Sequence, residues 1–237
     1  MSAAPSFASA FDRNPQPWVR ASGGVYLAII AFGLLGEAVA RASAQPGTVL
    51  ASVAAHETLW RWGIAGDLLM HALDVPCIVV MYLLLRPFSP PLALMATVFN
   101  IVQTAVLALS KLTLTVPLLL PGLGLPEASA EALAALALRL HSHGFGIGLV
   151  FFGFACLLRG HLLRRTALVP PVLGWMLQLA GLCYLVNSFV LLLHRPLAGL
   201  LFPWVLMPAF VGELALALWT LVRGIDLVRW QARPGAA

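Results

Sequence analysis

Charge is scarce in this chain. Of 237 residues, 14 are Lys or Arg and 9 are Asp or Glu, a charged share of 10%. An average soluble domain carries about 25% charged residues. Hydrophobic residues fill the gap at 61%, and the mean hydropathy is +0.94. So much apolar surface excludes water as the main solvent, and excludes disorder. Cysteine is also scarce. Cys77, Cys156 and Cys183 all fall in apolar runs. They show no CxxC spacing and no paired framework, so they read as small core residues. GxSxG, P-loop, GxGxxG and HExxH motifs are absent, which removes the usual footing for those chemistries. The net charge is +5, yet no basic patch is interleaved with aromatics, so nucleic acid is not an expected partner. The first 20 residues lack a continuous apolar stretch, and no cleavable signal peptide is expected.

What is present is a set of apolar runs, each near the length of about 20 residues that a membrane-spanning helix needs. They predict an all-α polytopic membrane protein with six transmembrane helices, at about 24–40, 60–86, 91–110, 139–158, 171–193 and 200–222. Together they make one transmembrane domain over 20–225, with short tails at 1–19 and 226–237. Helices are the open choice, because lipid cannot satisfy a bare sheet edge. Residues 112–125 hold Pro117, Pro121, Gly122 and Gly124, and are read as an overlong end of the third helix that breaks up at the surface. Residues 127–139 are rich in Ala and Leu and lead into the fourth helix. With six spans, the side bearing the termini collects nine Arg, including Arg159, against five Lys or Arg opposite. That bias puts both termini in the cytoplasm. Trp18, Trp175 and Trp230 fall at one interface and Trp60, Trp62 and Trp204 at the other, as in two aromatic belts.

Ionisable residues inside spans are costly and generally face a bundle interior or a wet cavity. Asp67, His71 and Asp74 are spaced i, i+4, i+7 and share one helical face. Such a stripe can hold a cation, relay protons or orient a histidine as a base. It can equally be a structural network, with an aspartate paired to Lys111, Arg61 or His141. Asn100, Gln103, Thr104 and Lys111 share a face of the third helix, where neutral amides glue helices together. His141 and His143 diverge on a helix. His71 and His141 with an acid are the candidate metal ligands. Glu213 lies mid-span, as a functional acid or as a hydrogen-bonded structural one. Glu57 and Arg61 form an i, i+4 pair at the mouth of the second helix. Glu37 lies in the same half as most of these groups. Counted along the helices, the polar groups gather from mid-membrane to the face opposite the termini. The other half reads as almost purely apolar.

Six segments in order carry a resemblance: HETLWRWGIAGDLL (56–69), MYLLLRPF (81–88), LHSHGFGIGLVFFG (140–153), LVPPVLGWML (168–177), AGLCYLVNSF (180–189) and MPAFVGELALALW (207–219) with Arg223-Gly224. Together they resemble a bacterial multi-pass membrane family described as domain of unknown function 4386, over about 19–224. The resemblance implies a bacterial inner-membrane location. The family pattern covers the positions of Glu57, Arg61, Asp67, His141 and Glu213. Where this chain has Asn187, the pattern more often has Asp.

These readings lead to one expectation and two alternatives. An outward-facing cavity lined by Asp67, His71, Asp74, His141, Asn187 and Glu213 would bind or move a proton, a cation or a small polar or lipid-like ligand, with Glu57, Arg61 and Lys111 at its mouth. The first alternative is an intramembrane metal-assisted hydrolase or lipid-modifying enzyme using His71 or His141. The second is a structural or regulatory subunit of a membrane complex. Beyond the lipid bilayer itself, the sequence names no cofactor and no protein partner.

Overall fold

Proline sets where several helices begin. Its missing N–H costs nothing in a helix's first turn. The computed structural model describes residues 7–43 and 47–235, with side chains throughout these except at 37–43 and 195. Glu37 therefore lies outside the described side chains. In chain order the helices are α1 (Phe7–Arg13), α2 (Gln16–Ser43), α3 (Val49–Ala55), α4 (Glu57–Leu85), α5 (Pro90–Ser110), α6 (Leu112–Leu119), α7 (Glu127–Thr166), α8 (Pro171–Leu193), α9 (Arg195–Leu201), α10 (Met207–Val222) and α11 (Leu227–Gln231). Pro90 and Pro171 stand at the first position of α5 and α8. Among the described residues there is no strand, and six helical segments are long and apolar enough to cross a membrane.

The six long helices close into a ring. Each packs on two neighbours in the order α2, α4, α5, α7, α8, α10 and back to α2. The predicted run at 112–125 continues α5 as α6 and a short 3-10 turn through Leu123, and ends at Gly124 in the left-handed region (φ 64°). The last span begins later than predicted, because α9 stops at Leu201 and the chain restarts after Pro203.

Neither terminus is a loose tail within the described residues. Phe11 and Trp230 are fully buried and meet edge to face, with centroids 5.8 Å apart. The Trp230 indole and Arg233 donate to the Asp12 carbonyl at 3.2 and 3.1 Å. Gln16 donates to the Arg223 carbonyl at 2.8 Å and accepts from the Ile225 amide at 3.0 Å. Trp230 is therefore a core residue rather than a lipid anchor. Trp60 is the same, being 2% exposed. Trp18, Trp62, Trp175 and Trp204 do face outward, so the predicted aromatic belts are only partly formed.

Candidate functional site

The stripe on α4 does not line a single cavity, because neighbouring helices divide it. Asp67 accepts from the Lys111 ammonium at 2.8 Å, and both side chains are about nine-tenths buried. This is the Asp–Lys pairing the sequence allowed, and Arg61 takes no part in it. Gly36 of α2 presses on the same carboxylate, since a Cβ there would collide with Asp67 Oδ1. His71 is 4% exposed, and its Nε2 has no hydrogen-bond partner. His141 binds the Ser110 carbonyl through Nδ1 at 3.3 Å. His143 turns back to its own helix at Arg139, so the two histidines diverge as the spacing predicts.

Asp74 belongs to a second cluster. It accepts from the Thr104 hydroxyl and from Asn100 Nδ2 at 3.2 Å. Asn100 also donates to Gln103 at 2.6 Å, and its Oδ1 accepts from the Arg159 guanidinium. Asn100 thus bridges an acid and a base. Arg159 corrects the sequence reading in two ways. It lies inside α7 rather than in a surface loop, about 10 Å along the helix from Thr166 at about 1.5 Å per residue, and its Nη2 is buried without a partner. The half of the membrane nearer the termini is therefore not purely apolar.

Glu213 forms the third cluster. It accepts from the Tyr184 hydroxyl at 2.7 Å and from Tyr26, which brings α10, α8 and α2 together. Asp74 and Arg159 are near enough for their charges to act on it. Sequence reasoning missed Tyr26, Tyr184 and Arg159. The phenols sit in ordinary apolar runs, and Arg159 is close enough to Arg164 and Arg165 to pass for a loop cation.

Helix rise places the clusters in depth. At about 1.5 Å per residue from Leu85, Asp74 lies about 16 Å in, His71 about 21 Å and Asp67 about 27 Å. By the same measure from Val222, Glu213 lies about 14 Å in. Asn187 is half-buried and joins none of the three clusters. Two cavities are present, and neither is lined by Asp67, His71, Asp74, His141, Asn187 or Glu213, although Tyr26 of the Glu213 cluster lines the first. One, of about 30 Å³, is bounded mainly by apolar side chains around Val80 and Leu163. The other opens at the termini between Arg86, Arg233 and Asp12. Among the described residues, no three His, Cys, Asp or Glu gather as a metal-holding group, so His71 and His141 lack the third donor that a tetrahedral zinc site needs.

Glu57 and Arg61 pair at 2.7 Å with more than half of each side chain exposed. Exposed i, i+4 pairs contribute little. Glu57→Ala should therefore shift the thermal unfolding of the detergent-solubilised protein by less than about 0.5 kcal/mol. A loss of several times that would give the pair a larger role.

No curated protein and no solved structure proved similar to the chain. The model of one family, described as Domain of unknown function (DUF4386), matches residues 21–224, which take in all three polar clusters and the six long apolar helices except the first five residues of α2. The chain is a member of the DUF4386 family, a multi-pass membrane protein by its six apolar helices.

Proposed function

We propose that this protein binds an exchangeable proton, or a small cation in its place, at Glu213 in the middle of the membrane. One observation carries the reading, a count of buried charges. Asp67 is matched by Lys111, and Asp74 is linked to Arg159 through Asn100. Glu213 is held by two phenols, and among the described residues no cation pairs with it. A bare carboxylate in low dielectric is expensive, so its charge must be met by a proton or a small ion. A proton needs no large cavity, and the one that Tyr26 lines holds only about 30 Å³. The location is proposed as a bacterial inner membrane with both termini in the cytoplasm, in keeping with the excess of arginine at that end.

A second reading has its own support. The three clusters join α4 to α5, then α4, α5 and α7, then α2, α8 and α10. Every helix of the ring is tied, as interhelical glue would require.

One experiment separates the two. The protein in lipid nanodiscs is titrated across neutral pH while the infrared carbonyl band of protonated carboxyl groups is followed, beside Glu213→Gln. The expected result is a titrating band in the wild type that is lost in a variant that still folds. An identical titration in both proteins would overturn the proton reading. A Gln variant that no longer folds, with Glu213→Asp folded but showing no titrating band, would favour glue.

A further inference from the structure

Beyond the Asp67–Lys111 pair, toward the end of the bundle away from the termini, the chain builds a second core. Buried Val49, Val53, Trp60, Leu114, Leu120 and Ala134 pack there, and none belongs to the main core. The cluster joins α3, α6 and the first turns of α4 and α7. It is fastened at two points. The Glu131 carboxylate accepts from the amides of Val49 and Leu50 at 2.6 and 3.0 Å. The Trp60 indole donates to the Leu114 carbonyl at 2.9 Å.

The attachment to the bundle is an interruption in the helix ladder. Lys111 is the single residue between α5 and α6, and its amide reaches back only three residues, to Ala108, at 3.2 Å. On either side, Ser110, Thr113 and Thr115 turn their hydroxyls onto carbonyls three residues back, at 2.7 Å each. Such bonds compete with the helix ladder and bend helices. Pro117 removes a further donor inside α6. The residue at the interruption also supplies the ammonium that meets Asp67. Below it lies His71, whose buried Nε2 has no partner.

We infer that α6 forms a lid hinged at Lys111 and held shut by α3, which packs on it and is itself latched to α7 by Glu131. Its opening breaks the Asp67–Lys111 pair and exposes the His71 imidazole to solution. With Lys111 as the pivot, a swing of α6 away from Trp60 changes the Lys111 backbone dihedrals and redirects the side chain that meets Asp67, so the ion pair reports the lid's position. This inference does not rest on the Glu213 reading.

The test is histidine modification by diethylpyrocarbonate in nanodiscs, mapped by mass spectrometry. Exposed His194 serves as the internal reference, and Cys156, buried in the main core, serves as a probe of general loosening through its reaction with a water-soluble maleimide. In the wild type, His71 should react far more slowly than His194. Glu131→Ala removes the latch and should raise the His71 rate at least tenfold relative to His194, with Cys156 unchanged. Asp67→Asn, which weakens the pair at the hinge, should act in the same direction. An unchanged His71 rate in both variants would overturn the lid, as would a parallel rise at Cys156.

Discussion

Lys111→Ala is expected to be among the most damaging single substitutions in the chain. It leaves the Asp67 carboxyl without its partner, about nine-tenths buried and pressed against the α2 backbone at Gly36. Removing one partner of a buried pair costs about 3–5 kcal/mol, because the remaining charge has lost both water and counter-ion. For a chain of this size, that corresponds to a fall of roughly 6–20 °C in the unfolding midpoint. The informative comparison is the double variant Asp67→Leu with Lys111→Met, which removes both charges. If the cost lies in the stranded charge, the double variant recovers most of the loss, since a buried pair is of little net value against apolar packing. Thermal unfolding of the wild type, Asp67→Leu, Lys111→Met and the double variant in one detergent decides it. Single losses that simply add would show that Lys111 and Asp67 act independently, against the 2.8 Å contact.

The number and kind of helices were legible in the sequence because span length is set by bilayer thickness rather than by tertiary detail. The depth of each helical position was legible for the same reason, since it follows from residue number at fixed rise, but the expected asymmetry does not hold, because Arg159 reaches the Asn100 side chain from the half nearer the termini. What each group touches was not. Asp67, His71 and Asp74 do share a face of α4, but which helix abuts each turn depends on the ring order, and no spacing along one helix encodes that. Asp67 sits at the α5–α6 junction and meets Lys111, while two turns further along, Asp74 meets Asn100 and Thr104. A stripe that reads as one site is therefore divided between two. Arg159 escaped for a different reason. A guanidinium on a long side chain can reach several ångströms along the bundle from its own Cα, so an arginine near a helix end has no fixed depth in the sequence. Tyr26 and Tyr184 carry no charge and leave no mark on hydropathy.

The glycines pose the same problem of partner choice, and they yield opposite expectations for one substitution. Gly144, Gly146, Gly148 and Gly153 stand out in the fourth span as packing residues, but of these only Gly153 meets backbone within 3 Å, in a seam that continues toward the end of α7. Gly153 and Gly160 of α7 face Gly181 and Gly174 of α8. A Cβ on Gly160 would stand 2.6 Å from the Gly174 carbonyl, and one on Gly181 would stand 2.6 Å from the Gly153 carbonyl. Backbone cannot step aside as a side chain can, so the helices must part. Gly160→Ala gains about 1 kcal/mol of helix propensity and meets an overpacking penalty of about 1–3 kcal/mol. With carbonyls on the opposing side the penalty prevails, and the unfolding midpoint should fall. Gly66 is the counter-case. It too is inside a helix, α4, but the nearest atom to its Cβ is a ring carbon of Phe32 at 3.7 Å, an ordinary contact. Gly66→Ala should raise stability by about 0.4–1 kcal/mol. Adding Gly153→Ala to Gly160→Ala should cost less than it does alone, because α7 and α8 have already been forced apart and neighbouring sites couple. If Gly160→Ala and Gly66→Ala instead shift the midpoint in the same direction, propensity outweighs contact. The glycine seam would then not be what sets the approach of α7 to α8.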